Sequence, residues 1–216
     1  MGKDDKQIMV VPRETLFAPS QRNLFEGFRP GHEVDYEKII LNQSIFMRRG
    51  DAEKDPNYKQ PIPYMLIIHQ DTKRVFSYMR SEEEHDEERL RGKWSWGIGG
   101  HVDHADAELG PSNPLRTSMF RELKEEVFIP LDANVTTKVL GYVNYESDEV
   151  SQVHFGLLYV IWVDTEKVQP MDKEIDKTTA QFRTVEELEK ICGSRKHIVE
   201  AWSQIAVRPL KDYLRT

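Results

Sequence analysis

One segment constrains this chain more than any other. Asn113 is a good helix N-cap and Pro114 suits the first helical position. From there Leu115, Met119, Leu123 and Val127 recur every four residues, with Phe120 beside them, which predicts a helix with one apolar face. Within it, Arg121-Glu122-Leu123-Lys124-Glu125-Glu126 spaces Glu122, Glu125 and Glu126 three and four residues apart, on one edge of the helix. Carboxylates so close repel one another unless cations lie between them. Oxygen donors of this kind suit hard cations such as Mg²⁺ or Mn²⁺. Taken alone, the hexapeptide also reads as the solvated face of an ordinary amphipathic helix, in which Arg121 and Glu125 pair for roughly a few tenths of a kcal/mol. What surrounds the helix has to decide.

Strands are expected at Ile8–Val11, Ile39–Met47, Tyr64–Gln70, Arg74–Met79, Trp94–Ile98, Thr136–Tyr145, Val153–Val163 and Thr178–Arg183. Residues 48–63 read as a polar loop, and Asp71-Thr72-Lys73 as a hairpin turn. Pro130 is expected to end the carboxylate helix. Thr184 opens a helix with a capping box to Glu187, and His197–Tyr213 forms a terminal helix interrupted or bent at Pro209. Strands, helix, strands, helices is an α+β order rather than a run of βαβ units. Residues 1–35 are expected to be an N-terminal extension, and 36–216 the main domain with its C-terminal helix.

The formal net charge of −7 argues against binding duplex nucleic acid, which rests on a basic surface. It leaves room for a polyanionic small ligand, because a metal ion brings the opposing charge. The single cysteine, Cys192, excludes an internal disulfide and reads as packing. No apolar run approaches the roughly 18–20 residues that span a bilayer. The first residues hold no apolar signal core, so the expectation is a cytoplasmic protein with no membrane contact.

Before the helix lies Trp96-Gly97-Ile98-Gly99-Gly100-His101-Val102-Asp103, a strand running into a tight glycine turn. Together, Gly100 and the Arg121–Ile129 run resemble the signature of the Nudix family, over a region of about 37 to 190. That signature is Gly, five residues, Glu, seven residues, then Arg-Glu-apolar-any-Glu-Glu-any-Gly-apolar. The chain departs from it in three places. Gly100 lies 21 residues before Arg121 where the pattern has fourteen, so about seven residues are inserted, expected within His104–Ser112. The first Glu of the signature falls on Asn113 counted back from Arg121, or on Asp106 counted forward from Gly100. Phe128 stands where the signature has Gly, implying a different exit from the helix.

The resemblance implies a Nudix fold, a mixed β-sheet sandwich flanked by helices. It also implies a hydrolase of phosphorus-containing acid anhydrides, a pyrophosphatase dependent on Mg²⁺ or Mn²⁺. Its substrate would be a nucleoside-diphosphate-linked or similar small molecule. By match to the signature, Glu122, Glu125 and Glu126 bind metal, with the Gly100 carbonyl contributing. Glu122 and Glu125 are catalytic, and Arg121 orients the carboxylates. The general base is a glutamate of the helix or a more distant acid among Glu146, Glu149, Glu174 and Asp176. Family habit suggests a homodimer. A non-catalytic ligand-binding or regulatory domain of the same fold is the alternative. An isoprenyl diphosphate isomerase would need a cysteine, and Cys192 lies far along the chain from the signature.

Other groups have simpler readings. His101, Asp103, His104 and Asp106 are metal-like in composition but read as a polar turn. Phe76, Tyr78, Trp94 and Trp96 could stack a base, but at strand spacing they read as core. Arg74, Arg80 and Lys93 read as solvent-facing, and the acidic run at 81–91 as a solvated loop.

Overall fold

The computed structural model describes residues 2–17, 24–82, 90–147 and 149–215. Most of the acidic run, 83–89, lies outside the described residues. Along the chain come β1 (Gln7–Pro12), α1 (Arg13–Phe17), β2 (Gly27–Pro30), α2 (Tyr36–Gln43), β3 (Ile45–Arg48), α3 (Arg49–Ala52), β4 (Tyr58–His69), β5 (Val75–Arg80), β6 (Trp94–Ser95) and β7 (Ile98–Gly99). There follow α4 (His104–Leu109), α5 (Pro114–Glu126), β8 (Val127–Phe128), β9 (Val135–Asn144), α6 (Glu149–Val153), β10 (His154–Val163), β11 (Gln169–Pro170), β12 (Ile175–Arg183), α7 (Val185–Gly193) and α8 (Ala201–Leu214). The class is α+β, a mixed sheet with helices, as the element order predicts. Among the described residues no helix is long and apolar enough to cross a membrane.

Contacts group the chain into two compact units. The first comprises Met1–Tyr64, Gly99–Arg121 and Val139–Leu158. Here β1 pairs antiparallel with β3, from Gln7↔Arg48 to Val10↔Ile45, and then with the start of β4 through Val11↔Lys59. β2 runs antiparallel to β9, from Gly27↔Asn144 to Pro30↔Gly141. The core gathers aromatic rings around the fully buried Tyr36, whose centroid lies 4.9 Å from that of Tyr142 and 5.2 Å from that of Phe155. Edge-on and tilted pairs of this kind add to the stability that area burial supplies.

Two expectations fail in this unit. The segment expected to be a strand at Ile39–Met47 is mostly the helix α2. Asp35 Oδ1 accepts the Lys38 amide at 3.0 Å, capping the helix, and Tyr36 and Ile40 bury one face at i,i+4 spacing. The β-branched pair Ile39-Ile40 misled by propensity, which tertiary packing overrides. Residues 48–63, expected as loop, contain α3 and the start of β4, where Lys59 and Gln60 are fully buried. Polar residues and two prolines hid a strand whose lysine finds partners only through the fold.

The second unit comprises Met65–Ile98, Glu122–Lys138 and Tyr159–Thr216. β5 pairs antiparallel with β12, including Phe182↔Phe76, and with β6 through Tyr78↔Ser95. The expected hairpin closes at Ile68↔Val75, with Lys73 at φ 56° in the left-handed region. The single strand expected at Trp94–Ile98 is instead two short pieces, Trp94–Ser95 and Ile98–Gly99, and between them the Gly97 amide donates to the Ser95 hydroxyl at 3.4 Å. Thr184 and Glu187 form the expected capping box, and α8 continues through Pro209. The carboxylate helix ends at Glu126, not near Pro130. Val127-Phe128 switches to strand and pairs with Gln169-Pro170, while the amides of Met171 and Asp172 donate to the Glu126 carbonyl at 2.8 and 3.2 Å. That is the exit for which Phe128 replaces a glycine: an extended ladder rather than a left-handed turn.

Candidate functional site

In the first unit, the approach to the helix is set by a glycine. A Cβ on Gly99 would fall on the carbonyl oxygen of Pro63, so only glycine lets β7 come this close to β4. Past Gly100 the buried Val102 anchors the turn, and Asp103 with Asp106 forms a capping box that starts α4. Asp106 is 1% exposed and receives the Arg121 guanidinium as a fork: Nε donates to Oδ1 at 2.9 Å and Nη2 to Oδ2 at 2.8 Å. Arg121 Nη2 also donates to the His101 carbonyl at 2.9 Å. Of the two counts for the first acid, forward from Gly100 and back from Arg121, the structure supports the forward one. Asn113 caps α5 by accepting the Arg116 amide at 2.9 Å. Because α5 begins at Pro114, seven residues before Arg121, the surplus residues fall between Asp106 and that start.

Glu122, Glu125 and Glu126 sit on the last turns of α5, in the second unit, with graded exposure. Glu125 is exposed, Glu122 intermediate and Glu126 buried. Burial pushes the Glu126 carboxyl up to about 8, against the pull of the Arg80 charge, with Glu122, Asp172 and Glu200 adding to the rise. Its Oε2 is buried and has no hydrogen-bond partner among the described residues. Arg80, expected to face solvent, is instead buried. Its Nε donates to Glu200 Oε1 at 2.9 Å, and Ser95 Oγ donates to Glu200 Oε2 at 2.9 Å. A carboxylate with an orphaned oxygen beside further carboxylates is a donor set for a hard cation, and a poor one for a neutral ligand.

The distant acids differ sharply. Glu146, in the first unit, is held by Arg13 Nη1 at 2.9 Å and Lys59 Nζ at 2.8 Å. Those donors keep its carboxyl below the usual range although burial opposes them. Asp176 Oδ1 accepts from the amide and hydroxyl of Thr178, a local turn, and Glu149 is exposed. Glu174 is half-buried, and its carbonyl accepts the Ser81 amide at 2.8 Å. Phe76, Tyr78, Trp94 and Trp96 are all buried as core. Cys192 is half-buried, and burial pushes its thiol up, away from reactivity.

The first unit also assembles groups that the sequence did not connect. His101 Nε2, His154 Nε2 and the Glu53 carboxylate lie within 4.8 Å of one another, a candidate metal-binding group. Burial, with His154 beside it, holds the His101 ring well below the usual imidazole range. Separations of roughly fifty residues leave no local pattern by which Glu53 and His154 could be found. His104 does not join them; it stacks edge-on against Phe46 and faces Glu108.

No family model matches the chain. It is 32% identical over 209 residues to Protein YmaB of Bacillus subtilis (strain 168), covering 96% of this chain and 98% of that protein. Among solved structures, Tm1382, proposed to be a Nudix hydrolase, aligns with a TM-score of 0.74 at 28% identity, over 96% of this chain and 100% of that one. The Nudix domain of Shewanella oneidensis NrtR, solved with ADP ribose, aligns at 0.51 and 13% identity over 72% of this chain and 88% of that one, a likeness of fold alone.

Proposed function

The chain belongs to the Nudix family, and from that footing we propose that it is a divalent-metal-dependent hydrolase of a diphosphate bond. The observation that carries this reading is Glu126, at the end of the Arg121–Glu126 run, whose buried Oε2 has no hydrogen-bond partner among the described residues. A cation there would satisfy that oxygen and favour the ionised carboxylate. Glu122, Glu125 and Glu126 would hold Mg²⁺ or Mn²⁺. When bound, the ion supplies neutralisation of the diphosphate and activation of water and phosphorus.

The protein groups have separable tasks in this reading. Arg121 is a positioning residue, because its guanidinium fork is taken up by Asp106 and the His101 carbonyl. Glu125, exposed on the helix, is the group of the run best able to accept a proton from attacking water. Glu146 is ionised but held between two cations, which lowers its worth as a base. The substrate class is a nucleoside-diphosphate-linked or similar small molecule, ADP ribose being the ligand solved with the NrtR Nudix domain. A cytoplasmic homodimer completes the proposal.

The test is release of phosphate or mononucleotide from a panel of diphosphate compounds with Mg²⁺ or Mn²⁺, in wild type and Glu125→Gln. Metal-dependent release that collapses in the variant supports the hydrolase. Binding of a panel member with no release under either metal replaces it with a non-catalytic ligand-binding or regulatory domain.

A further inference from the structure

We propose that Glu53, His101 and His154 form a second cation site, suited to Zn²⁺ or a similar borderline transition-metal dication, that shares no residue with the carboxylate helix. His101 Nε2 lies 3.2 Å from His154 Nε2 and 3.7 Å from Glu53 Oε1, and His154 Nε2 lies 4.0 Å from Glu53 Oε2. Two imidazole nitrogens on a tetrahedral Zn²⁺, each about 2.0–2.1 Å from it, stand about 3.3 Å apart. The histidines therefore already have the spacing of a bound pair, and the carboxylate needs only a small rotation to close the site.

The hydrogen bonds around the cluster orient its donor atoms. His154 Nδ1 lies 2.7 Å from the Val150 carbonyl, so Nδ1 carries the proton and donates, and the Nε2 lone pair points at the other two groups. This is the outer bond that usually orients a metal-binding histidine. Fully buried Gln60 brings Oε1 to 2.6 Å from His101 Nε2. One proton on His101 Nε2 then faces an amide oxygen, an imidazole lone pair and a carboxylate oxygen. A cation at their meeting point serves all of them, with Gln60 Oε1 as a further donor.

The donor set also selects the ion. Arg49 Nε sits 3.3 Å from Glu53 Oε1 and offsets its charge, so the group has little net negative charge to attract a hard cation. Mg²⁺ and Ca²⁺ depend on that charge and on oxygen donors, whereas Zn²⁺ gains from imidazole nitrogen.

Zinc binding to the full chain in excess Mg²⁺ tests the site by equilibrium dialysis, with Co²⁺ absorption reporting nitrogen ligation. We expect one tightly held equivalent in wild type and in Glu125→Gln, loss in His154→Gln, and weakening on the order of 10–100-fold in Glu53→Gln. Glu53 stands at the partly exposed end of α3, so its variant carries the test even if His154→Gln fails to fold. Absence of zinc binding in excess Mg²⁺, or binding unchanged in Glu53→Gln, overturns the proposal. Zinc binding that is lost in Glu125→Gln also overturns it, because the ion would then belong to the carboxylate helix.

Discussion

Arg121 grips Asp106 with two hydrogen bonds, 2.9 and 2.8 Å, across fifteen residues of sequence. The pair locks the turn after Gly100 to the helix that carries the glutamates. It also explains how the chain absorbs an insertion, since the added residues lie between the two partners and leave their meeting intact. Asp106→Ala should destabilise the protein by about 2 kcal/mol, below the usual figure for breaking a buried pair because Arg121 is 27% exposed. Arg121→Lys should lose much of the same amount, since an ammonium cannot make the fork. Urea unfolding measures both, and a change within error for either variant would show the pair to be incidental.

Glu126 predicts a dependence on pH. Its folded value of about 8 stands above its ordinary 4.5, so between these the native state keeps a proton that the unfolded chain has released. Without divalent cations its contribution to stability is complete below about 4.5 and is lost as pH rises through about 8. If Glu126 holds the ion as proposed, Mg²⁺ would have to displace that proton, so its affinity should climb on the order of tenfold per pH unit up to about 8. Titration calorimetry across that range should show the climb in wild type and a flat, weaker profile in Glu126→Gln. A flat wild-type profile would remove Glu126 from the ligand set.

Local patterns carried α5, the hairpin at Lys73 and the capping box at Thr184 into the sequence reading, because each is specified by residues a few positions apart. Features that depend on distant partners were not legible. Arg80 looks like an ordinary strand lysine or arginine until Glu200, 120 residues away, is seen to receive it. Ile39-Ile40 has strand propensity, yet the Asp35 cap and the burial of Tyr36 make a helix. The sequence left Asp106 and Asn113 as equal candidates; only the partner of Arg121 separates them. Glu53 and His154 could not be associated with His101 by any spacing rule.

The Arg80–Glu200 pair supports a third prediction. Both side chains are about a tenth exposed, and Glu200 also accepts from Ser95. Glu200→Ala leaves Arg80 charged and buried without its carboxylate, which should cost about 3–5 kcal/mol. The double variant Arg80→Met, Glu200→Leu should recover most of that loss, since an apolar pair has no charge to desolvate. Thermal and urea unfolding of the three proteins would decide. Equal loss in the single and double variants would mean that packing around α8, rather than charge, is what the pair provides.

Lys59 gives the last prediction. Its ammonium is fully buried, with the carbonyls of Ser151 and His154 at 3.2 and 3.3 Å and Glu146 at 2.8 Å, and burial still lowers it from 10.5 to about 8. Desolvation therefore outweighs the ion pair. For a base whose folded value is depressed, the native state binds fewer protons than the unfolded chain between the two values, so stability rises with pH across that window. The rise should total about 3 kcal/mol between about pH 8 and 10.5, at 1.36 kcal/mol per unit. In Lys59→Met the absolute stability will differ for other reasons, because Glu146 loses one of its two cations. The informative quantity is the slope: the gap between wild type and variant should change steadily across the window. A gap that stays constant with pH would mean that water reaches the amine and that Lys59 is not desolvated.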